Sequence, residues 1–182
     1  MSSSDPNIDL AALIRTIPDH PKPGIQFRDV STLLLNGPGF RTAIDRLIAT
    51  FDPDTVDLIA GIEARGFIVA SALSYALTKG NLLLRKPSKL PGDTVGIDYA
   101  LEYGTDRIEM HIGAVKPGAR VLLVDDLIAT GGTALAGVSL LREQGAMVSD
   151  ARFLVDLPDL GGAEKLRAVG VSPVSLLAFA GD

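Results

Sequence analysis

Hydrophobic positions along this chain follow two periods, and the changes from one to the other mark out its elements. Between 38 and 51, Phe40, Ala43, Ile44, Leu47, Ile48 and Phe51 recur at helical spacing and share one face of an amphipathic helix. Residues 7–17 carry Ile8, Ala11, Ala12, Leu13 and Ile14 at similar spacing, which predicts a first helix with its N-cap at Asp5 or Asn7. Positions 56–60 read as a buried strand, apolar except at Asp57, with a helix expected from about 67 to 79 and another strand over 81–84. The period then drops to two. Val95, Ile97, Tyr99 and Leu101 alternate with Gly96, Asp98, Ala100 and Glu102. Past Tyr103-Gly104-Thr105-Asp106, the residues Ile108, Met110 and Ile112 alternate with Arg107, Glu109 and His111. Two alternating runs about a turn predict an antiparallel hairpin arm over 93–112 with Glu102 at its tip. His111, on one alternate face, reads as a surface residue.

A run of four apolar residues at 121–124 suits a strand covered on both faces. A helix follows over 134–145, with Leu135, Val138 and Leu141 inward and Leu140 beside them. Then come a strand at 147–155, a short helix at 162–169 and a last strand at 174–179. Repeated strand–helix alternation implies an α/β fold: a mostly parallel central sheet flanked by helices.

With 182 residues the chain fits one domain, 1–182, long enough to bury a core. An apolar fraction of 47% and a charged fraction of 21% are ordinary for a globular protein. A net charge of −5 argues against a nucleic-acid-binding face. The absence of cysteine removes disulfides and thiolate metal sites, and two histidines cannot build a His-rich one. No apolar run approaches the ~20 residues needed to cross a bilayer, so no membrane role is expected. The first residues, Met1-Ser2-Ser3-Ser4-Asp5-Pro6, lack a basic region followed by an apolar core, so a cytoplasmic location is expected.

The chemistry concentrates where the predicted strands end. After the run at 121–124 come Asp125 and Asp126, then Leu127, Ile128, Ala129, Thr130, Gly131, Gly132 and Thr133, then a helix. A glycine loop opening a helix is an anion site, because backbone N–H groups approach phosphate oxygens at the positive end of the helix dipole. Two aspartates would repel a bare phosphate, but they suit a ligand that also carries hydroxyls and a divalent metal, as a phosphorylated ribose does. The plainer reading is a solvated turn. The spacing is neither a Walker A loop nor a G-x-G-x-x-G fingerprint.

A second strand–loop–helix unit carries Gly61-Ile62-Glu63-Ala64-Arg65-Gly66-Phe67. There Arg65 either clamps a phosphate bidentately or pairs with Glu63. The third strand ends in Arg85-Lys86-Pro87-Ser88-Lys89-Leu90-Pro91-Gly92, whose cations suit either a pyrophosphate or a solvated face. Prolines and a glycine hold His20-Pro21-Lys22-Pro23-Gly24-Ile25-Gln26-Phe27-Arg28-Asp29 extended: a rigid surface loop, or a platform on which Phe27 stacks against a flat ligand.

The string at 121–133 resembles the phosphoribosyl-pyrophosphate (PRPP) motif of type I phosphoribosyltransferases. Together with P-G-I-Q-F-R-D at 23–29, G-I-E-A-R-G-F at 61–67, R-K-P-S-K-L-P-G at 85–92 and Y-A-L-E-Y-G at 99–104, it makes nearly the whole chain similar to the adenine phosphoribosyltransferase family. The resemblance implies transfer of the phosphoribosyl group of PRPP to N9 of adenine, giving AMP and pyrophosphate with Mg²⁺, in a homodimer serving purine salvage. It also implies an N-terminal hood over 1–30 and a flexible hairpin over 93–112.

The roles it implies are as follows. Asp125 and Asp126 hold the ribose hydroxyls, and Ala129, Thr130, Gly131, Gly132 and Thr133 cradle the 5′-phosphate. Arg65, Lys86 and Lys89 face the pyrophosphate, while Arg85 acts for the partner subunit. Phe27 stacks on adenine, with Leu127 on its other side and Ile25 and Arg28 at the purine edge. Glu102 acts at purine N7. Metal is held mainly by PRPP itself. Relatives acting on hypoxanthine and guanine usually carry Asp where this chain has Ala129, which points to adenine. At position 64 this chain has alanine where many relatives have serine. A transferase for another base, or a PRPP-sensing regulator without turnover, are the competing readings.

Overall fold

The computed structural model describes residues 7–100 and 104–181. The chain enters through a 3-10 turn at Ala11–Leu13 and strand β1 (Arg15–Pro18), which pairs antiparallel with β2 (Gln26–Asp29). The helix expected over 7–17 is therefore not formed. Pro18 would end such a helix at Ile17, leaving too few turns for intrinsic propensity to sustain. The ladder with β2 wins instead, and Arg15 locks it by placing Nη2 2.5 Å from Asp29 Oδ2. The N-cap of the turn is Leu10, which offers no side-chain cap; Asp9 before it accepts from the Ala11 N–H at 3.0 Å, and Asp5 lies outside the described residues.

Helix α1 (Ser31–Leu35), which no periodicity announces, buries Leu33 completely. Helix α2 (Gly37–Ile48) starts where Asn36 accepts from the Gly39 N–H at 2.8 Å, and it buries Ala43, Ile44 and Leu47 on the expected face. There follow β3 (Leu58–Ile62), α3 (Gly66–Leu77), β4 (Gly80–Leu84), and a hairpin of β5 (Thr94–Ala100) and β6 (Thr105–His111). Next come β7 (Arg120–Ile128), α4 (Gly132–Glu143), β8 (Met147–Asp156), α5 (Gly162–Ala168) and β9 (Ser172–Ala178). The hairpin register sets Ile97 opposite Ile108 and Tyr99 opposite Asp106, as the alternation requires. Leu101, Glu102 and Tyr103 lie outside the described residues.

Five strands form a parallel sheet in the order β4-β3-β7-β8-β9. From β3 the chain moves outward to β4 on one side, and from β7 outward to β8 and β9 on the other. The order therefore reverses between β3 and β7. Their following helices cover opposite faces, so a crevice opens beyond their C-terminal ends, where open α/β sheets bind ligands.

The sheet is apolar on both faces. Leu123, Ala60 and Ile62 join Val138, Leu140 and Leu141 of α4 in one cluster. Leu122, Val124 and Ile59 join residues of α2 and α3 in the other. Ile108 and Met110 of β6 are buried against the first cluster, and Arg85 exchanges backbone hydrogen bonds with Glu109, which anchors the hairpin to the end of β4.

Arg152 is the most buried charged residue among the described residues. The side chain of Arg152 on β8 is only 3% exposed; it donates to Thr50 Oγ1 and to the carbonyls of Thr50, Ala151 and Ser172, and it pairs with Asp150 at 3.1 Å. Removing it would strand three carbonyls and leave a void. Arg152→Ala is expected to destabilise the fold by about 2–4 kcal/mol in urea unfolding. A change below about 0.5 kcal/mol would show that Arg152 does not brace β8.

Candidate active site

Asp125, Asp126 and the glycine loop lie at the C-terminal end of β7, whose neighbour in the sheet is β3. Strand β7 runs further than the apolar run suggested. Asp125 and Asp126 lie inside the strand rather than beyond it, with Asp125 opposite Phe153 and Leu127 opposite Val155. The two carboxylates are thus held by a sheet ladder, not by a mobile turn.

Asp125 and the stretch 127–134 line one concavity. The backbone of that stretch is fixed from behind. The carbonyl of Ile128 accepts from the Leu157 N–H at 3.0 Å, that of Ala129 from the Gly162 N–H at 3.0 Å, and that of Thr130 from Lys165 Nζ at 2.8 Å. A trans peptide directs its C=O and the next N–H in opposite senses, so the amides of Ala129, Thr130 and Gly131 turn away from the 157–165 segment. Helix α4 then begins without a side-chain cap, its N-cap Gly131 at φ 80°, so the free N–H groups of its first turn are available to an anion. The fit behind the loop is close. A Cβ on Gly162 would stand 2.3 Å from the Ala129 carbonyl oxygen, so only glycine allows this approach.

The loop after β3 supplies Arg65, immediately before α3. Its Nε lies 2.5 Å from Asp126 Oδ2, and about half the side chain (49%) remains exposed. The Glu63 pairing considered for Arg65 is not made. Glu63 instead receives Arg85 through two nitrogens, each at 3.2 Å, and the Lys86 N–H at 2.8 Å. Burial works against the charge on Arg65, but the Asp126 hydrogen bond, with the fields of Asp126, Asp125 and Asp29, holds its pKa above the usual guanidinium value. Arg85 Nη1 also donates to the Lys89 carbonyl at 2.9 Å, so the Arg85-to-Lys89 turn curls about one guanidinium. The peptide between Glu63 and Ala64 is cis.

Asp125 is the strained member of the pair. Its Oδ1 accepts from the Asp126 N–H at 2.8 Å, and Gly66 packs so closely that a Cβ there would lie 2.6 Å from the same oxygen. Although some of the residue still borders the cleft, burial of the carboxyl, followed by the Asp126 charge, pushes its pKa well above the ordinary carboxylate range.

The N-terminal residues form a separate part of the arrangement. Phe27 meets the His20 ring edge-on at 5.1 Å between centroids. Arg28 donates to Thr16 Oγ1 at 2.6 Å and to the Ala180 carbonyl at 3.2 Å, with its guanidinium 4.7 Å above Phe179. Ile25 donates its N–H to the Lys22 carbonyl at 3.2 Å. Glu102 lies outside the described residues. His111 is exposed, 2.8 Å from the Pro91 carbonyl.

Sequence reasoning missed four residues. Lys165 and Gly162 buttress the phosphate-type loop from 35 and 33 positions downstream of the carbonyls they hold. Tyr99 and Asp106, on the hairpin, both bond to Lys86 Nζ. Only the alternation of the hairpin hinted at the last two, by placing them in register.

Residues 31–158 match the phosphoribosyl transferase domain family. Among curated relatives, adenine phosphoribosyltransferase of Azorhizobium caulinodans is 57% identical over 95% of this chain and 97% of its own. Among solved structures, adenine phosphoribosyltransferase from Rhodothermus marinus superposes with a TM-score of 0.87 at 44% identity, covering 93% of this chain and 96% of its own. The enzyme from Saccharomyces cerevisiae, complexed with an imino-altritol bisphosphate and adenine, gives a TM-score of 0.86 at 33% identity over 92% and 96% of the two chains.

A stability prediction follows from Asp125. A carboxyl whose pKa is raised on folding binds more protons in the native state, so its burden appears as pH rises through that window and is absent at lower pH. Asp125→Asn keeps the oxygen that accepts from Asp126 and removes the charge. It is expected to be more stable than the parent at pH 7.5, with the advantage shrinking as pH falls into the ordinary carboxylate range. Thermal unfolding of both proteins across pH measures this; an advantage that grows on acidification contradicts it.

Proposed function

The chain belongs to the adenine phosphoribosyltransferase family, and on that premise we infer that it transfers the phosphoribosyl group of PRPP to N9 of adenine, releasing AMP and pyrophosphate for purine salvage. The observation that carries the reading is that Asp125 lines one concavity with the backbone anion cradle that opens α4, with Asp126, paired to Arg65, next to it in β7. A ligand for this cleft must offer hydroxyls to carboxylates and, one sugar away, a phosphate to amides.

Breaking the C1′–oxygen bond builds positive charge on the ribose and negative charge on the leaving diphosphate. Asp125 and Asp126 hold the 2′- and 3′-hydroxyls and favour the cationic sugar, while Ala129, Thr130, Gly131, Gly132 and Thr133 fix the 5′-phosphate, so catalysis rests on positioning and fixed charge. Arg65, Lys86 and Lys89 receive the pyrophosphate. Phe27 and Leu127 sandwich the base, with Ile25 and Arg28 at its edge, and Glu102 manages the proton at N7. We read residues 1–30 as a hood over the base and 93–112 as an arm bearing Glu102, within one domain spanning 1–182.

Mg²⁺ needs few protein ligands when a substrate brings its own phosphate oxygens, commonly one or two carboxylates. Asp125 and Asp126 fit that demand, and among the described residues no group of three or more His, Cys, Asp or Glu side chains could cage a metal. When carried in by PRPP, the ion supplies Lewis-acid relief of charge on the leaving group. No helix among the described residues is long and apolar enough to cross a membrane. A cytoplasmic homodimer, with Arg85 serving the partner subunit's pyrophosphate, completes the proposal.

Two variants test the assignment of roles. Glu102→Leu is expected to lower adenine-dependent pyrophosphate release by about 10²–10⁴-fold while changing PRPP affinity little; unchanged turnover removes Glu102 from the mechanism. Asp125→Asn, though more stable, is expected to bind PRPP at least about tenfold more weakly, the loss of one charge-assisted hydrogen bond of about 1.5 kcal/mol. Equal PRPP affinity by calorimetry would overturn the ribose assignment.

A further inference from the structure

The hairpin is tied to both anion-binding loops through a single hydroxyl. Lys86 Nζ lies 3.0 Å from Tyr99 Oη and forms an ion pair with Asp106. Tyr99 Oη is 3.1 Å from Asp106 Oδ2, and Thr133 Oγ1 is 3.2 Å from Tyr99 Oη. Proton counting fixes the directions. An ammonium only donates, a carboxylate only accepts, and the phenol has one proton. Tyr99 therefore donates to Asp106 and accepts from both Lys86 and Thr133. The backbone follows the same contact: a Cβ on Gly132 would touch the Ala100 carbonyl oxygen at 3.5 Å and the Tyr99 ring at 3.8 Å, so β5 lies against the phosphate-type loop.

We propose that Asp106 and Tyr99 form an internal anion mimic that holds Lys86 and Thr133 until PRPP takes them, so that its two phosphate ends bind cooperatively through one shared node. The proposal rests on the assignment of Lys86 to pyrophosphate and of Thr133 to the 5′-phosphate. Thr133 has its one hydroxyl proton committed to the phenol and cannot donate to a phosphate oxygen without leaving Tyr99, while Lys86 spends two of its three donors and its charge on Tyr99 and Asp106, so that only on leaving them does it face a pyrophosphate fully. A 5′-phosphate that turns Thr133 removes one of the two donors to the phenol. A pyrophosphate that draws Lys86 away removes the other and leaves Asp106 without its cation. Whichever end binds first loosens the node for the second, so its disruption is counted once. Asp106 is thus a positioning residue that acts through Lys86, and Tyr99 carries the coupling.

The side chains of Lys86 and Asp106 are 39% and 25% exposed, so the contact resembles a partly solvated ion pair, about 1 kcal/mol or fivefold in an affinity. Calorimetric titration of the whole protein with inorganic pyrophosphate and Mg²⁺, with and without ribose 5-phosphate, tests the idea. In the parent, ribose 5-phosphate is expected to tighten pyrophosphate about threefold to fivefold. Asp106→Asn is expected to tighten pyrophosphate about fivefold by itself and to reduce the ribose 5-phosphate effect to near unity. Tyr99→Phe, which keeps the Lys86–Asp106 pair, is expected to lose the coupling. Asp106→Glu should restore parent behaviour. A gain in affinity is a readout that mere structural damage does not produce. Weaker or unchanged pyrophosphate binding in Asp106→Asn, with coupling intact, overturns the proposal. Lys86→Met serves as the separate control: if it leaves pyrophosphate affinity unchanged, the assignment of Lys86 fails and this exchange fails with it.

Discussion

Two neighbouring carboxylates held at the mouth of a buried strand impose most of what surrounds them. Asp125 and Asp126 cannot swing clear, because β7 continues to Ile128 and the ladder with β8 fixes both positions. Like charges so close, one of them packed under Gly66, are costly unless cations and dipoles face them. The structure answers with Arg65 on Asp126 and with the uncapped start of α4 beyond the glycines. The resulting field is mixed: negative at the two carboxylates, positive at Arg65 and at the first turn of α4. A ligand with charge of one sign only would not suit it.

The sheet order explains why these groups meet at all. Arg65 follows β3 and the aspartates end β7, strands far apart in the chain but adjacent in the sheet at the point where its order reverses. The segment after β8 then closes the back of the phosphate-type loop through Leu157, Gly162 and Lys165, and so turns the amides of Ala129, Thr130 and Gly131 away from that segment. The hairpin reaches the same loop from the front by way of Tyr99. The loop is therefore braced from both sides, the rigidity that a site matched to a transition state requires.

What the sequence disclosed depended on the range of the interaction that decides each element. Helix α2, the hairpin and the apolar run of β7 have local periodicity, and each was legible within two to four residues. The helix read into 7–17 failed because a tertiary ladder with β2 outcompeted weak spacing cut short by Pro18. Helix α1 is too short to show a period. Among site residues, the motif at 125–133 was legible because loop, carboxylates and helix start are contiguous. Arg65 was assignable to the site but not to its partner, since Glu63 is near in sequence and Asp126 is 61 positions away. The cooperation of Lys86, Tyr99, Asp106 and Thr133 needs three separate elements to converge, and no local pattern encodes that. Ala129 sits in the cradle with its carbonyl held by the Gly162 N–H, a contact 33 positions away that no local pattern encodes either.

The central claim is the choice of base, and the most direct measurement is pyrophosphate release from PRPP and Mg²⁺ with adenine, hypoxanthine, guanine, xanthine and uracil compared as kcat/KM. Adenine is expected to exceed each of the others by at least about 10²-fold, consistent with a site whose hydrogen-bonding groups match one base edge. A preference for a 6-oxopurine or for uracil, or tight PRPP binding without turnover on any base, would contradict the account.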